Sequence, residues 1–168
     1  MTDKNSDTIT MRKPGLHDGP AIHQLISRCP PLDVNTVYAY CILADHHSDT
    51  IVVAEDAELG IVGCITAYKP PTKPDTLFIW QVAVDERRRG LGLAGRMLDH
   101  LLARPACANI TGLETTVSPD NIASRRVFEK LAATAHVELQ REEYLVADEA
   151  GPGHAAEELL RITPLPPR

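Results

Sequence analysis

The chain has 168 residues, which suits one domain with an adequate hydrophobic core and no need of disulfide or metal staples. Its 43% hydrophobic and 24% charged residues are typical of a globular protein, and its formal net charge of -6 argues against nucleic acid or an anionic membrane as a partner. The polar opening MTDKNSDT lacks the apolar run of a signal peptide, so we expect a cytoplasmic protein.

The order of apolar patterns and breakers predicts a disordered lead-in at residues 1–7 and one mixed α/β domain at residues 8–168. In its first half, Asp18 is expected to cap a helix that Pro30 and Pro31 end. The expected elements here are a strand at 8–12, a helix with Ile22, Leu25, Ile26 and Cys29 on one face, a helix from 36 to about 45, and strands at 50–54 and 61–68.

The second half begins with the run LFIWQVAV at residues 77–84, whose nearly continuous apolar character predicts a strand covered on both faces. The expected elements after it are a helix opened by Gly90 to Gly92, a strand at 110–117, a helix with Ala123, Val127 and Leu131 as its buried stripe, a strand or broken pair at 136–147, and a strand or helical turn at 157–162. The element order is therefore β-α-α-β-β-β-α-β-α-β-β.

The four cysteines, at positions 29, 41, 64 and 107, form no C-x-x-C pair and show no metal-ligand spacing. Most lie in or beside apolar stretches, so we expect buried, reduced thiols and no bound metal.

The strongest chemical signal is the run VAVDERRRGLGLAGRML at residues 82–98. A buried strand leads into a basic turn, then Gly90-x-Gly92, then an amphipathic helix. The unpaired N–H groups at a helix start bind anions, and glycines let a ligand approach the backbone closely. The alternative is a tight turn with a solvated basic cluster, because a bare Gly-x-Gly is a weak signal. The agreement of strand, arginines and helix favours a phosphate-binding turn.

Arg87-x-x-Gly90-x-Gly92 matches the R/Q-x-x-G-x-G/A motif of the GNAT acetyltransferase superfamily, and the run Phe128-Glu129-Lys130-Leu131 after Asn121 resembles its next motif. The resemblance implies an α/β GNAT fold, with a mixed, mostly antiparallel sheet splayed between its fourth and fifth strands and helices on both faces. It implies acetyl-CoA as the acetyl donor, held by Val82, Ala83, Val84, Arg87, Arg88, Arg89, Gly90, Leu91, Gly92, Leu93, Asn121, Ser124 and Phe128. Phe128 stands where the superfamily often has a tyrosine that protonates the leaving thiolate, so water or another donor must supply that proton.

Three blocks carry a narrower resemblance, to the diaminobutyrate acetyltransferases of ectoine biosynthesis: CPPLDVNTVYAY at 29–40, the region 77–98, and His154-x-x-Glu157-x-x-x-Arg161-Ile162. The sequence departs from that family at Ala155, Ala156 and Thr163. This resemblance implies a homodimer that acetylates the 4-amino group of L-2,4-diaminobutyrate, giving 4-acetamido-2-aminobutanoate.

A diamino acid carries two ammonium groups and one carboxylate, so its pocket needs carboxylates, an aromatic wall and an anion-binding group. Asp33 could face this pocket or cap the helix near Asn35, and the buried Gln81 needs a partner from a neighbouring backbone or the substrate. We expect acceptor contacts from Asp33, Asn35, Tyr38, Trp80, Gln81, Thr115, His154 and Glu157, and we expect the catalytic groups among Glu157, Glu114 and His154. Glu114 and Thr115 lie on opposite faces of one strand, so only one of them should face the acceptor.

The predicted reaction is direct attack of a neutral amine on the thioester in a ternary complex, without an acetyl-enzyme, because no cysteine has an evident base beside it in sequence. Two alternatives stay open: an acetyltransferase for another small amine or a protein N-terminus, and a non-catalytic acyl-CoA-binding regulator.

Overall fold

A computed structural model describes residues 9–166, and the predicted lead-in at residues 1–7 lies outside this range. One seven-stranded sheet runs through the described residues in the order β1-β2-β3-β4-β5-β7-β6. All its pairs are antiparallel except β4–β5, which is parallel. The strands are β1 (Ile9–Arg12), β2 (Val52–Asp56), β3 (Gly60–Tyr68), β4 (Thr76–Val84), β5 (Gly112–Val117), β6 (Gln140–Leu145) and β7 (Glu157–Ile162).

Among the described residues, four α-helices cover the two faces of the sheet, because each buries one apolar stripe. They are α1 (Gly19–Ser27), α2 (Val37–His46), α3 (Leu93–Leu102) and α4 (Ile122–Ala135), with short 3₁₀ turns at Leu16–Asp18, Ser48–Thr50, Glu86–Arg88 and Pro105–Cys107. The stripes of α1 and α2 meet one face of β2 to β4, and those of α3 and α4 meet the other. The predicted mixed, mostly antiparallel sheet with helices on both faces is confirmed.

The sheet opens between β4 and β5. Their pairing runs only from Thr76 opposite Gly112 to Ile79 opposite Thr115. At this last pair the Thr115 hydroxyl donates to the Ile79 carbonyl oxygen at 2.8 Å, and β5 then continues alongside β7. The last five residues of β4 therefore present an edge that β5 does not cover.

Three local predictions were wrong, the first of them only in part. Asp18 occupies the N-cap position of α1 as predicted, but its side chain does not cap the helix, because the carboxylate instead accepts hydrogen bonds from Arg12, at 2.8 and 2.9 Å, and from the Gly15 N–H. The buried stripe of α4 is Ser124, Phe128 and Ala132, one residue later than expected. Strand β4 is not covered on both faces, because its residues alternate along its whole length between buried side chains and partly or fully exposed ones such as Trp80.

The two uncertain segments near the end both prove to be strands, β6 at Gln140–Leu145 and β7 at Glu157–Ile162. No helix within residues 9–166 combines the length and apolar character needed to cross a membrane. All four cysteines are free thiols, and burial raises the pKa of Cys64 to about 12.

Candidate active site

The open edge of β4 offers backbone groups at alternate residues. The Gln81 N–H is directed at β3, where the Thr66 hydroxyl accepts it at 3.1 Å, and the Asp85 N–H donates to the Val62 carbonyl at 2.8 Å. Because neighbouring residues of a strand point their backbone groups to opposite edges, those of Val82 and Val84 face the gap left by β5. A ligand in the gap can therefore pair with β4 as another strand would.

A groove of about 440 Å³ lies beside this edge, between the residue 30–32 segment, the turn before α3, and α4. Gly90 and Gly92 stand at the head of α3 with φ of 76° and 69°, a left-handed conformation that favours glycine. No atom outside the turn would touch a Cβ at either position, so their backbone faces open space. Since Gly92 is the N-cap, no side chain caps the first N–H groups of α3. The turn can therefore bind phosphate oxygens.

Two of the arginines beside this groove, Arg87 and Arg88, are held by carboxylates, and Arg89 is held by a backbone carbonyl. Arg87 makes two 2.8 Å hydrogen bonds to Asp85, which also lies 3.3 Å from Arg28. The Arg87 hydrogen bonds hold the pKa of Asp85 well below its usual range. Arg88 pairs with Asp56, and Arg89 Nε donates to the Val84 carbonyl at 3.0 Å.

Most of the predicted cofactor residues border the groove. Those that line it are Val82, Val84, Arg88, Arg89, Gly90, Gly92, Leu93, Asn121 and Ser124. Four do not line it. Ala83 packs against α1 and α2, Arg87 is engaged with Asp85, Leu91 is exposed, and Phe128 is buried in the core beneath α4.

A second cavity, of about 350 Å³, lies next to the groove at the point where β4 and β5 part. The two adjoin, because the consecutive residues Leu32 and Asp33 line the groove and the cavity respectively. We call this the acceptor cavity; its walls are Asp33, Tyr68, Phe78, Trp80, Thr116, Tyr144, Leu145, His154 and Glu157. Carboxylates and aromatic rings, which a pocket for a cationic acceptor needs, both line this cavity.

The loop before β7 reaches across the acceptor cavity and places His154 against Asp33. His154 Nε2 lies 3.1 Å from an Asp33 carboxylate oxygen, and Nδ1 lies 2.7 Å from the Ala155 carbonyl oxygen. Both ring nitrogens therefore face acceptors, an arrangement that suits the protonated imidazolium. The Ala155 hydrogen bond and the nearby carboxylates of Asp33 and Glu157 raise the pKa of His154 accordingly.

Glu157 begins β7 and is half-buried in the acceptor cavity. Burial raises the pKa of its carboxyl group above the usual value, against the lowering influence of His154 and of a hydrogen bond with the Thr116 side chain. A partly desolvated carboxylate in a cavity is suited to accept a proton.

The structure places Glu114 away from the acceptor cavity. Its carboxylate lies between Lys73 Nζ, at 2.9 and 3.1 Å, and Arg161 Nε, at 2.8 Å. Burial alone would raise its pKa, but these two cations outweigh burial and lower it. A carboxylate so engaged is a poor base.

Other predicted acceptor residues lie behind or beside the cavity. The Thr115 hydroxyl binds the Ile79 carbonyl where the strands part, and Tyr38 is 74% exposed and lines no part of it. Asn35 and Gln81 join a buried hydrogen-bond network beneath the Asp33 loop. Asp33 is not the cap of α2, because Thr36 takes that position and accepts the Ala39 N–H at 3.2 Å.

Sequence reasoning missed five cavity residues: Tyr68, Phe78, Thr116, Tyr144 and Leu145. Tyr68 and Phe78 face each other in the β3–β4 register, with ring centroids 5.4 Å apart. The sequence held a signal for both residues. Phe78 lies two positions before Trp80 and therefore on the same face of β4, and Tyr68 lies on the paired strand. No sequence signal marked Tyr144 as a cavity residue, because strand β6 reaches the cavity only through its long-range pairing with β7.

A phosphate-binding turn at the head of a helix, beside an open strand edge and a second cavity, suits a group-transfer enzyme whose donor carries phosphate, such as an acyl-CoA. A model of the acetyltransferase (GNAT) family matches residues 19–133. The chain belongs to the GNAT family of acetyltransferases.

Within this family, the chain is similar to acetyltransferases that share one named substrate. The L-2,4-diaminobutyric acid acetyltransferase of Bordetella parapertussis is 48% identical over 155 residues, which cover 92% of this chain and 83% of the relative. That of Chromohalobacter salexigens is 45% identical over 161 residues, covering 96% and 84%. The solved structure of the diaminobutyrate acetyltransferase EctA from Paenibacillus lautus, in complex with L-2,4-diaminobutyric acid and coenzyme A, matches with a TM-score of 0.88 at 38% identity, covering 93% of this chain and 95% of that one.

Proposed function

We propose that this protein transfers the acetyl group of acetyl-CoA to the 4-amino group of L-2,4-diaminobutyrate, giving 4-acetamido-2-aminobutanoate. The observation that carries the proposal is the junction of the groove and the acidic, aromatic acceptor cavity at the open edge of β4. The relatives of 45–48% identity and the neighbouring structure with diaminobutyric acid and coenzyme A support the same substrates.

The groove fits an acyl-CoA. The N–H groups at the head of α3 and the backbone of Gly90 and Gly92 would hold the pyrophosphate, with positive charge from Arg88 and Arg89. The gap-facing backbone of Val82 and the N–H of Val84 would pair with the amides of the pantetheine arm, while the Val84 carbonyl accepts Arg89 Nε. The arm would then point along β4 from the turn towards Trp80 and the acceptor cavity.

The acceptor cavity fits a small diamino acid. Asp33 and Glu157 supply negative charge, and the rings of Trp80, Tyr68 and Tyr144 offer faces to an ammonium group. We assign Asp33 to the 2-ammonium group, which stays charged, so that the 4-amino group is directed at the groove. His154 adds a cation that can meet the substrate carboxylate.

Acetyl-CoA supplies an electrophilic thioester carbonyl, and a neutral amine must attack it. Glu157 would accept the proton that the attacking amine loses, directly or through one water. The gap-facing N–H groups of β4 would stabilise the charge that develops on the carbonyl oxygen. Phe128 cannot protonate the departing thiolate, since it has no hydroxyl and is buried in the core, so water serves. Glu114 is left out of the catalytic set.

We further propose that the enzyme is a cytoplasmic homodimer serving ectoine biosynthesis. The resemblance to the ectoine family supports the dimer and the pathway. Four free thiols suit the reducing cytoplasm. Light scattering at micromolar protein tests the dimer, and the mass of a monomer would contradict it.

A panel of amines with acetyl-CoA, followed by thiol release, tests the proposed activity. We expect turnover with L-2,4-diaminobutyrate and at least about tenfold lower kcat/KM with the diamino acid one methylene shorter, because its terminal amine falls short of the thioester. Preference for a peptide N-terminus or a monoamine would instead indicate another acetyltransferase. CoA binding without turnover of any amine would indicate a non-catalytic regulator.

A further inference from the structure

Tyr40 lies on α2 beneath the loop that carries Asp33, and its side chain is fully buried. Its hydroxyl lies 3.1 Å from Gln81 Oε1, to which it donates, and it accepts the Asn35 N–H at 3.2 Å. A hydroxyl has a single hydrogen to donate. Both the donor and an acceptor position of Tyr40 are thus used inside the protein.

Gln81 connects this hydroxyl to the loop. It lies on β4, is only 4% exposed, and directs its side chain away from the groove. Its Nε2 donates to the backbone carbonyl of Asp33 at 2.7 Å. Because the Tyr40 hydrogen is directed at Oε1, the amide has one favourable orientation, with its N–H groups towards Asp33. The loop is therefore held at two points, Asp33 and Asn35.

The Asp33 carboxylate is itself only weakly held by other side chains. Its side chain is 75% exposed, and the contact that the structure gives it is with His154, on a long loop from the other side of the cavity. An exposed ion pair of this kind contributes little to position. The hydrogen bond that Gln81 donates to the Asp33 backbone is shorter and partly buried, so it fixes the position of the backbone that carries the carboxylate.

We propose that Tyr40 and Gln81 are positioning residues that hold the Asp33 carboxylate at the acceptor cavity and thereby set the affinity for the diamino acid. This rests on the proposed function, since it takes Asp33 as the ammonium-binding group. Neither residue touches substrate. Gln81, expected from the sequence to contact the acceptor, acts instead through the Asp33 backbone, and the hydroxyl of Tyr40 acts through Gln81.

Tyr40→Phe tests the relay because it removes one oxygen and keeps the ring. We expect KM for L-2,4-diaminobutyrate to rise about three- to tenfold, with kcat within about twofold and the Kd of coenzyme A unchanged. Gln81→Met breaks the same chain at its other member and should give the same pattern, without an additive loss in the double variant. Ile22→Val, which trims the core that also holds Tyr40, should lower Tm and leave both constants at the parent value.

Introducing Tyr40→Phe into an Asp33→Ala background makes the test decisive. If Tyr40 acts through Asp33, Tyr40→Phe adds no further loss of kcat/KM once the carboxylate is gone. An additive loss, or parent-like kinetics in both Tyr40→Phe and Gln81→Met, overturns the positioning role while leaving the proposed function intact. Parent-like kinetics in Asp33→Ala itself would overturn the assignment of the ammonium site and the relay with it.

Discussion

Replacing Asp33 with alanine removes the carboxylate that we assign to the substrate's 2-ammonium group. In the free enzyme this carboxylate is 75% exposed and lies 3.1 Å from His154, so it makes little contribution to the fold. Its backbone carbonyl, held by Gln81, is retained in the variant. Asp33→Ala should therefore change substrate binding much more than stability.

The magnitude follows from the exposure of the side chain. Removing a buried carboxylate opposite a cation lowers binding by about 2–5 kcal/mol, whereas an exposed pair is worth about 0.2–1 kcal/mol. Asp33 lies between these limits, because substrate in the cavity would cover it only in part. A loss of about 1.4–2 kcal/mol corresponds to a fall in kcat/KM of about 10- to 30-fold.

The fall in kcat/KM is measured from initial rates of thiol release. These rates are recorded over a range of diaminobutyrate concentrations at saturating acetyl-CoA. Asp33→Asn is the matched control: it keeps the size of the side chain and loses its charge, and it should lose nearly as much. Calorimetric titration with coenzyme A should give the parent affinity for both variants. If Asp33→Ala lowers Tm but shows parent kcat/KM at low temperature, the residue is structural and the assignment is wrong.

Three further substitutions test other parts of the site. Gly92→Glu should abolish coenzyme A binding in calorimetry while leaving circular dichroism unchanged, because it adds a side chain and a negative charge at the phosphate turn; unchanged affinity would contradict the groove assignment. Glu157→Gln should lower kcat by about 10²-fold or more. It should also remove the acidic limb of the pH–rate profile, in which activity rises as the Glu157 carboxyl group, whose pKa is raised above 4.5, loses its proton. If that limb survives in the variant, another group is responsible for it. Glu114→Gln should lower stability by about 1–3 kcal/mol at pH 7, because it removes the carboxylate that accepts hydrogen bonds from Lys73 and Arg161. It should leave kcat/KM within about twofold, because this ion pair lies outside the acceptor cavity. Since the pKa of Glu114 is lowered in the fold, that difference in stability should be present above pH 4.5 and shrink as the pH falls below it, and a constant difference would refute the ion-pair explanation.

Features with a local physical cause could be predicted from the sequence. The turn at Gly90 and Gly92 is one such feature. Two glycines between a strand and an amphipathic helix are compatible with few conformations other than a tight turn. The opening of β4 was expected only through family resemblance. The backbone hydrogen bonds of Gln81 and Asp85 explain which residues of β4 face the gap.

Features that depend on long-range pairing could not be predicted. Asp18 looked like a helix cap, but the Arg12 guanidinium from β1 offers its carboxylate a charged partner that a cap does not. Glu114 and Glu157 lie on neighbouring strands, and both were candidate bases, with Glu157 preferred. Lys73, in a proline-rich loop, reaches Glu114 across the fold and distinguishes the two.

The product of the reaction tests the central claim most directly. Purified protein incubated with acetyl-CoA and L-2,4-diaminobutyrate should yield a single acetylated species, identified by NMR from correlation of the amide proton with the C4 methylene group. We expect 4-acetamido-2-aminobutanoate, because Asp33 holds the 2-ammonium group and the open edge of β4 directs the 4-amino group at the thioester. Acetylation at the 2-amino group would contradict that orientation, and no acetylated product would contradict the proposed function itself.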